Sequence, residues 1–146
     1  MKRKIMPWLL VILWMALIFY LSHQPANKSN GLSKGATEII VETVEKVVPK
    51  VDINKRSFNH IIRKNAHFFT YLVLGTLVAN GLRSSGLSGY RAIGLGLLIC
   101  LFYAISDEVH QLFVPGRGGQ VKDVIIDSAG AVVGILGYNG FIKRRS

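Results

Sequence analysis

IMPWLLVILWMALIFYLS, residues 5–22, carries no charged side chain and follows the basic triplet Lys2, Arg3 and Lys4. A helix crossing the hydrocarbon core of a bilayer takes about 17–25 residues at about 1.5 Å each, so this run is long enough. Three further apolar runs follow. Residues 66–82 are uncharged apart from whatever His67 carries, and residues 92–106 continue through Asp107 and Glu108 toward Val114. Residues 124–142 are interrupted only by Asp127 and end at Lys143, Arg144 and Arg145. The second and third runs are marginal in length unless each takes in its polar end. Backbone groups in lipid need internal partners, and the runs lack the period-two alternation of a barrel, so helices are the expected form. The expected fold is all-α: a single polytopic membrane domain over 1–146 with transmembrane helices at about 5–22, 64–82, 92–113 and 122–142.

Composition agrees. Half of the 146 residues are hydrophobic and only 18% are charged, yet 18 Lys and Arg against 8 Asp and Glu give a formal charge of +10. A soluble basic protein would spread that charge over a polar surface. Here the apolar residues fall in long blocks with basic flanks, which excludes a nucleic-acid binder and points to the lipid bilayer as partner. The single cysteine, Cys100, excludes a disulfide framework within the chain and any multi-cysteine metal site. The first apolar run exceeds the about 7–15 residues of a signal-peptide core. Ser22-His23-Gln24-Pro25-Ala26 offers no Ala-x-Ala-like cleavage site, so an uncleaved first helix is expected.

Charge also sets the expected orientation. Both termini are basic, and the short link between the second and third runs carries Arg83 and Arg91. With four spans these three places share one side, and the positive-inside rule makes it the cytoplasmic side of the membrane. The loop over about 23–62 then lies outside. It opens with the turn-forming Pro25, Asn27, Ser29, Asn30 and Gly31. Residues 36–48 follow a helical period, with Ile40, Val44, Val47 and Val48 opposite Glu38, Glu42 and Glu45. An amphipathic surface helix is expected there, ended by Pro49.

Polar residues gather where the spans meet that outer side. Arg63, Lys64 and His67 lead into the second span. Asp107, Glu108, His110 and Gln111 close the third, Arg117 lies in the following turn, and Asp123 and Asp127 open the fourth. An Asp, Lys or Arg at a helix centre costs about 2.5–3.5 kcal/mol, so several near a boundary imply mutual pairing around an inward-facing site. Spacing brings them together: Arg63, His67 and Tyr71 repeat every four residues, and Asp107, His110 and Gln111 share a face from which Glu108 points about a quarter-turn away. Asp123, Asp127, Gly130 and Gly134 form a third face, whose glycines allow close approach of another helix, within the chain or in a homo-oligomer.

These residues resemble the VanZ family of small bacterial membrane proteins. The resemblance is carried by Arg63-Lys64-Asn65-Ala66-His67-Phe68 with Tyr71 and Gly75, and by Ser106 through Arg117, including Asp107-Glu108 and His110-Gln111. Asp123 through Asp127 to Gly130 and Gly134, and Ser22-His23-Gln24-Pro25, extend it over nearly the whole chain. It implies a polytopic, usually four-helix membrane protein, with teicoplanin-type glycopeptide resistance attributed to the namesake, and it implies no established reaction.

Three uses of the cluster follow. The first is binding or processing of an anionic lipid; the resemblance favours a lipid-linked cell-wall precursor. Its candidate catalytic residues are His67, His110, Asp107 and Glu108, and its candidate ligand-binding residues are Arg63, Lys64, Tyr71, Gln111, Arg117, Asp123 and Asp127. Arg117 and Arg63 suit phosphate oxygens by their planar fork and Lys64 as a point charge. A histidine, titrating near pH ~6.5 when unperturbed, suits proton transfer. The second is a structural or accessory role in which the charges only fix helix packing. The third is a metal-dependent hydrolase using His67, His110 and carboxylates, although a His-Glu-x-x-His helix is missing and nearby cations repel a metal. No cofactor and no metal ligand are assigned.

Overall fold

A computed structural model describes residues 2–25 and 55–144, together with positions 31, 35, 38–41 and 43. All regular structure among the described residues is helical: α1 (Lys2–Ser22), α2 (Lys55–Ser84), α3 (Gly89–Gln111) and α4 (Val121–Lys143). The second helix begins well before the expected position 64, because the polar stretch from Lys55 continues the helix beyond the apolar run. The loop expected to reach residue 62 therefore ends by 54. Most of the amphipathic helix expected over 36–48 lies outside the described residues, although 38–41 and 43 are helical and Val41 is buried.

Side-chain contacts fix the directions of the helices. Trp8 Nε1 near the start of α1 donates to Ser85 Oγ beyond the end of α2 (2.9 Å), while Ser22 Oγ at the end of α1 donates to Asp107 Oδ2 near the end of α3 (2.9 Å). Successive helices thus alternate up and down. The α2–α3 link is tight because Gly86 takes a positive φ of 96°, letting Leu87 N bond Leu82 O and Gly86 N bond Arg83 O, the Schellman arrangement. The α3–α4 link turns through Val114-Pro115-Gly116-Arg117. Gly116 sits at φ 74° and Arg117 N bonds Val114 O (3.1 Å), a proline-glycine turn whose third residue must tolerate positive φ.

The core runs along α2, where Tyr71, Leu74, Val78 and Leu82 are buried against Val11 and Ile18 of α1, Cys100 and Ala104 of α3, and Ala131 and Ile135 of α4. Outward-facing Leu9, Leu13, Leu98, Phe102, Val133 and Leu136 stay exposed, as lipid-facing positions do. Of the four expected spans, α1, α3 and α4 are long and apolar enough to cross a membrane; α2 does not reach the same apolarity. The packing gives the reason: α2 carries most of the contact between helices, and Thr76 and Asn80 on it hydrogen-bond to Gly134 and Tyr138 of α4 rather than facing lipid.

The closest packing is between α2 and α4. A Cβ added to Gly130 would collide with the carbonyl of Phe68, one on Gly134 with the carbonyl of Leu72, and one on Gly75 with the backbone of Ala131. These glycines bring two parallel helices to backbone contact. They also set the register that brings Lys64 and His67, nine and twelve residues into α2, level with the charged start of α4.

Candidate functional site

The end of the bundle reached by the C-termini of α1 and α3 and the N-termini of α2 and α4 gathers nearly all of the polar candidates. The α2–α4 register set by Gly130 and Gly134 places Lys64 Nζ 3.7 Å from Asp123 Oδ1, and His67 Nδ1 3.5 Å from Asp127 Oδ1. The Asp127 side chain is fully buried, whereas those of Lys64 and His67 keep 27% and 23% of their exposure. Each pair therefore joins an inner carboxylate to an outer cation or imidazole. Asp107 is buried beside them, its Oδ2 accepting from Ser22 Oγ and, at 3.3 Å, from Gln111 Nε2.

Glu108, a quarter-turn from Asp107, is buried as well. Its Oε2 accepts from the backbone N–H of Gln120 at 2.7 Å, tying the end of α3 to the start of α4. A side chain at Gly119 would lie 2.8 Å from the Glu108 carbonyl, so the same contact requires glycine in the turn. Arg117 reaches across the bundle end, where its Nη2 donates to the Leu21 carbonyl at 3.4 Å.

Between these groups lies a polar pocket of about 110 Å³, lined by His67, Gln111, Gly116, Arg117, Gly118, Gln120 and Asp123. Asp107, Glu108 and Asp127 do not line it; they turn into the helix packing. One carboxylate, one guanidinium, one imidazole, two glutamines and the glycine turn thus face the space. His67 is the link between pocket and interior. Its Nδ1 is turned to Asp127, which leaves Nε2 as the ring nitrogen for the pocket, the arrangement by which a carboxylate orients a proton-transferring histidine.

Beneath the pocket several acceptors are buried without a hydrogen-bond partner among the described residues: Asp107 Oδ1, Glu108 Oε1, both oxygens of Asp127 and the Tyr71 hydroxyl. The Tyr71 hydroxyl belongs to the residue one turn below His67 on α2. Each such group costs about 1–3 kcal/mol of uncompensated desolvation, an unusual concentration for helix packing alone.

Spacing on α3 was only partly informative. Gln111 faces Asp107 as its four-residue separation requires, but His110 turns toward α1. There its Nε2 lies 3.2 Å from His23 Nδ1 and its ring packs on Phe19, outside the pocket. Arg63 belongs to α2, one turn before His67, and its side chain lies outside the described residues. Sequence reasoning gave no role to Ser22, His23 or Gln120. Ser22 and His23 stood in the Ser22-His23-Gln24-Pro25 segment, whose polar character just after an apolar helix was the available signal. Gln120 acts through its backbone N–H, which no side-chain pattern reveals. Among the described residues no three His, Cys, Asp or Glu side chains are grouped so as to hold a metal ion.

No curated protein and no solved structure matches the chain. A family model described as VanZ/LLP1 matches residues 7–143, which takes in all four helices, the Gly116 turn and each residue of the pocket. This helical membrane protein therefore belongs to the VanZ/LLP1 family.

Proposed function

We propose that α2 crosses the membrane as a fourth span, that both termini are cytoplasmic, and that the pocket end faces the outer side of a bacterial cell membrane. There it binds or processes the anionic headgroup of a cell-envelope lipid, with a lipid-linked peptidoglycan intermediate as the favoured class and glycopeptide susceptibility as the expected phenotype. Arg117 holds phosphate oxygens, Gln111 donates to them, and His67 carries a proton under the orientation of Asp127, while Lys64, outside the pocket lining, offsets the charge of Asp123. The observation that carries this reading is the pocket lining: Arg117 and His67 face the space, while Asp107, Glu108 and Asp127 turn away from it. The glycine turn adds backbone N–H groups without side-chain bulk, as anion sites use them.

The test is Arg117→Ala, purified into nanodiscs of phosphatidylcholine containing a minority of phosphatidic acid. Normal abundance with about tenfold weaker retention of phosphatidic acid is expected; unchanged retention overturns the reading. Orientation is checked by cysteine labelling of intact cells after Cys100→Ser. Gly118→Cys suits this because a side chain there meets open space. Labelling by an impermeant reagent at 118 but not at Leu87→Cys is expected, and the reverse pattern inverts the protein.

One observation favours the structural alternative. Ser22–Asp107, Lys64–Asp123, His67–Asp127 and Glu108–Gln120 each join two different elements, as a purely architectural clamp would. That reading expects pocket substitutions to lower abundance in proportion to any phenotype, and it leaves the buried unpartnered acceptors unexplained.

A further inference from the structure

A second cavity, apolar and about 280 Å³ in volume, opens between α3 and α4. Its floor is Cys100 and Ala131, each 1% exposed, and its walls are Leu97, Leu98 and Leu101 on one side and Ser128 and Val132 on the other. Gly94 marks its deep end, where an added Cβ would meet nothing within 4 Å. From Gly94 to Leu101 the groove extends about 10 Å along α3, at about 1.5 Å per residue.

Its position decides what occupies it. Both walls belong to helices long and apolar enough to span a membrane, so the mouth opens onto hydrocarbon. The turn joining those two helices contributes Gly116, Arg117, Gly118 and Gln120 to the polar pocket. Along α4, Asp123 of the pocket and Ser128 at the groove are five residues, or about 7 Å, apart. Head site and groove therefore lie at successive depths along the α3–α4 pair, polar toward the membrane boundary and apolar beneath it, with the α4 side chains of the two parts turned to different sides.

From this we infer that the α3–α4 groove seats a hydrocarbon chain of the same lipid whose anionic headgroup enters the pocket, so that the ligand is an amphiphile recognised at both parts. The inference rests on the pocket reading proposed above. Ser128 Oγ, buried without a hydrogen-bond partner among the described residues, lies at the groove's upper end, where the ester or ether oxygens that join head to chain would arrive. The energetic contribution of the chain is modest, because groove and surrounding lipid are equally apolar and only packing separates them.

The experiment uses the full chain in phosphatidylcholine nanodiscs with a phosphatidic acid that carries a photoreactive group midway along one chain. Crosslinks are expected to concentrate on Leu97, Leu98, Leu101 and Val132. Gly94→Phe, which fills the open deep end, should cut them about threefold, and Val132→Phe does the same from the opposite wall. Gly94→Ala leaves them unchanged. Arg117→Ala lowers groove labelling together with headgroup retention. Crosslinks spread evenly over the exposed faces of α1 and α3 and unmoved by either phenylalanine overturn the groove, while the Arg117 effect on retention leaves the pocket standing. Groove labelling that survives Arg117→Ala although retention falls overturns the two-part ligand. No preference for phosphatidic acid over phosphatidylcholine overturns pocket and groove together.

Discussion

The two ends of this bundle are closed by different chemistry. At the end formed by the α2–α3 link, Trp8 donates to Ser85, Tyr138 donates to Asn80, and the Schellman turn at Gly86 ends α2; the basic residues Arg83, Arg91 and Lys143 stand exposed there. At the other end Lys64, His67 and Arg117 gather with Asp107, Glu108, Asp123 and Asp127, four carboxylates of which three are buried. Both ends belong to the same four helices. Neutral hydrogen bonds and one tight turn suffice to hold the first end. The charges at the second are therefore more than closure requires, and charges near lipid are costly to keep. This difference, rather than the presence of ion pairs, makes the charged end the candidate site.

The comparison can be broken first at the spine that both ends share. Gly134→Leu places a side chain against the backbone of α2 at Leu72, where no flexible neighbour can yield. Overpacking of this kind costs about 1–3 kcal/mol and often more, and here it also pulls apart the register that levels Lys64 with Asp123. The largest effect of any substitution discussed is expected, seen as loss of monodisperse protein in detergent and a fall in Tm. A Tm equal to that of the wild type would show that α2 and α4 are not in backbone contact.

Next is the buried pair at the charged end. His67→Ala leaves the Asp127 carboxylate, fully buried, without the one cationic or imidazole partner it has among the described residues, at a cost of about 2–3 kcal/mol. Asp127→Asn in the same chain removes the charge that had to be compensated and should restore much of the lost stability. Single and double variants are compared by Tm in one detergent. Equal Tm for His67→Ala and the double variant would show that Asp127 does not depend on His67, and the Asp–His couple would lose its place in the proposal.

Much of this architecture is legible in the sequence because membrane insertion leaves strong marks. The apolar runs locate α1, α3 and α4, and the four-residue repeat of Asp123 and Asp127, continued by Gly130 and Gly134, reveals the face that meets α2. Weak hydrophobicity hid two features. Residues 55–63 mix Lys, Arg, Ser, Asn and His with only Phe58, Ile61 and Ile62, so no apolar run shows that α2 already passes through them, and the central place of α2 comes from its packing against the other helices, which no local pattern encodes. In the site, spacing joins residues of one helix but not helices to one another. His110 and Gln111 are neighbours on the same helix; only the position of α1 decides that His110 meets His23 and Phe19 while Gln111 meets the pocket. The Ser22–Asp107 hydrogen bond joins residues 85 positions apart, and no periodicity spans that distance.

The smallest expected effect lies at the neutral end. Tyr138→Phe deletes the hydroxyl that donates to Asn80 Oδ1 at 2.8 Å and leaves the ring in place. Both residues are half-buried, so the orphaned amide oxygen keeps some access to the boundary and is not stranded as Asp127 would be. Side-chain hydrogen bonds between membrane helices average about 0.6 kcal/mol, and a Tm shift of that order, well under the His67→Ala shift, is expected. Asn80→Ala combined with Tyr138→Phe should cost little more than either alone, since one bond is being removed twice. Should Tyr138→Phe cost as much as His67→Ala, the two ends would be energetically alike, and the charged end would have to be read as one more clamp. A small shift here with a large, rescuable one at His67 places the expensive chemistry at the pocket alone, where closure of the bundle cannot account for it.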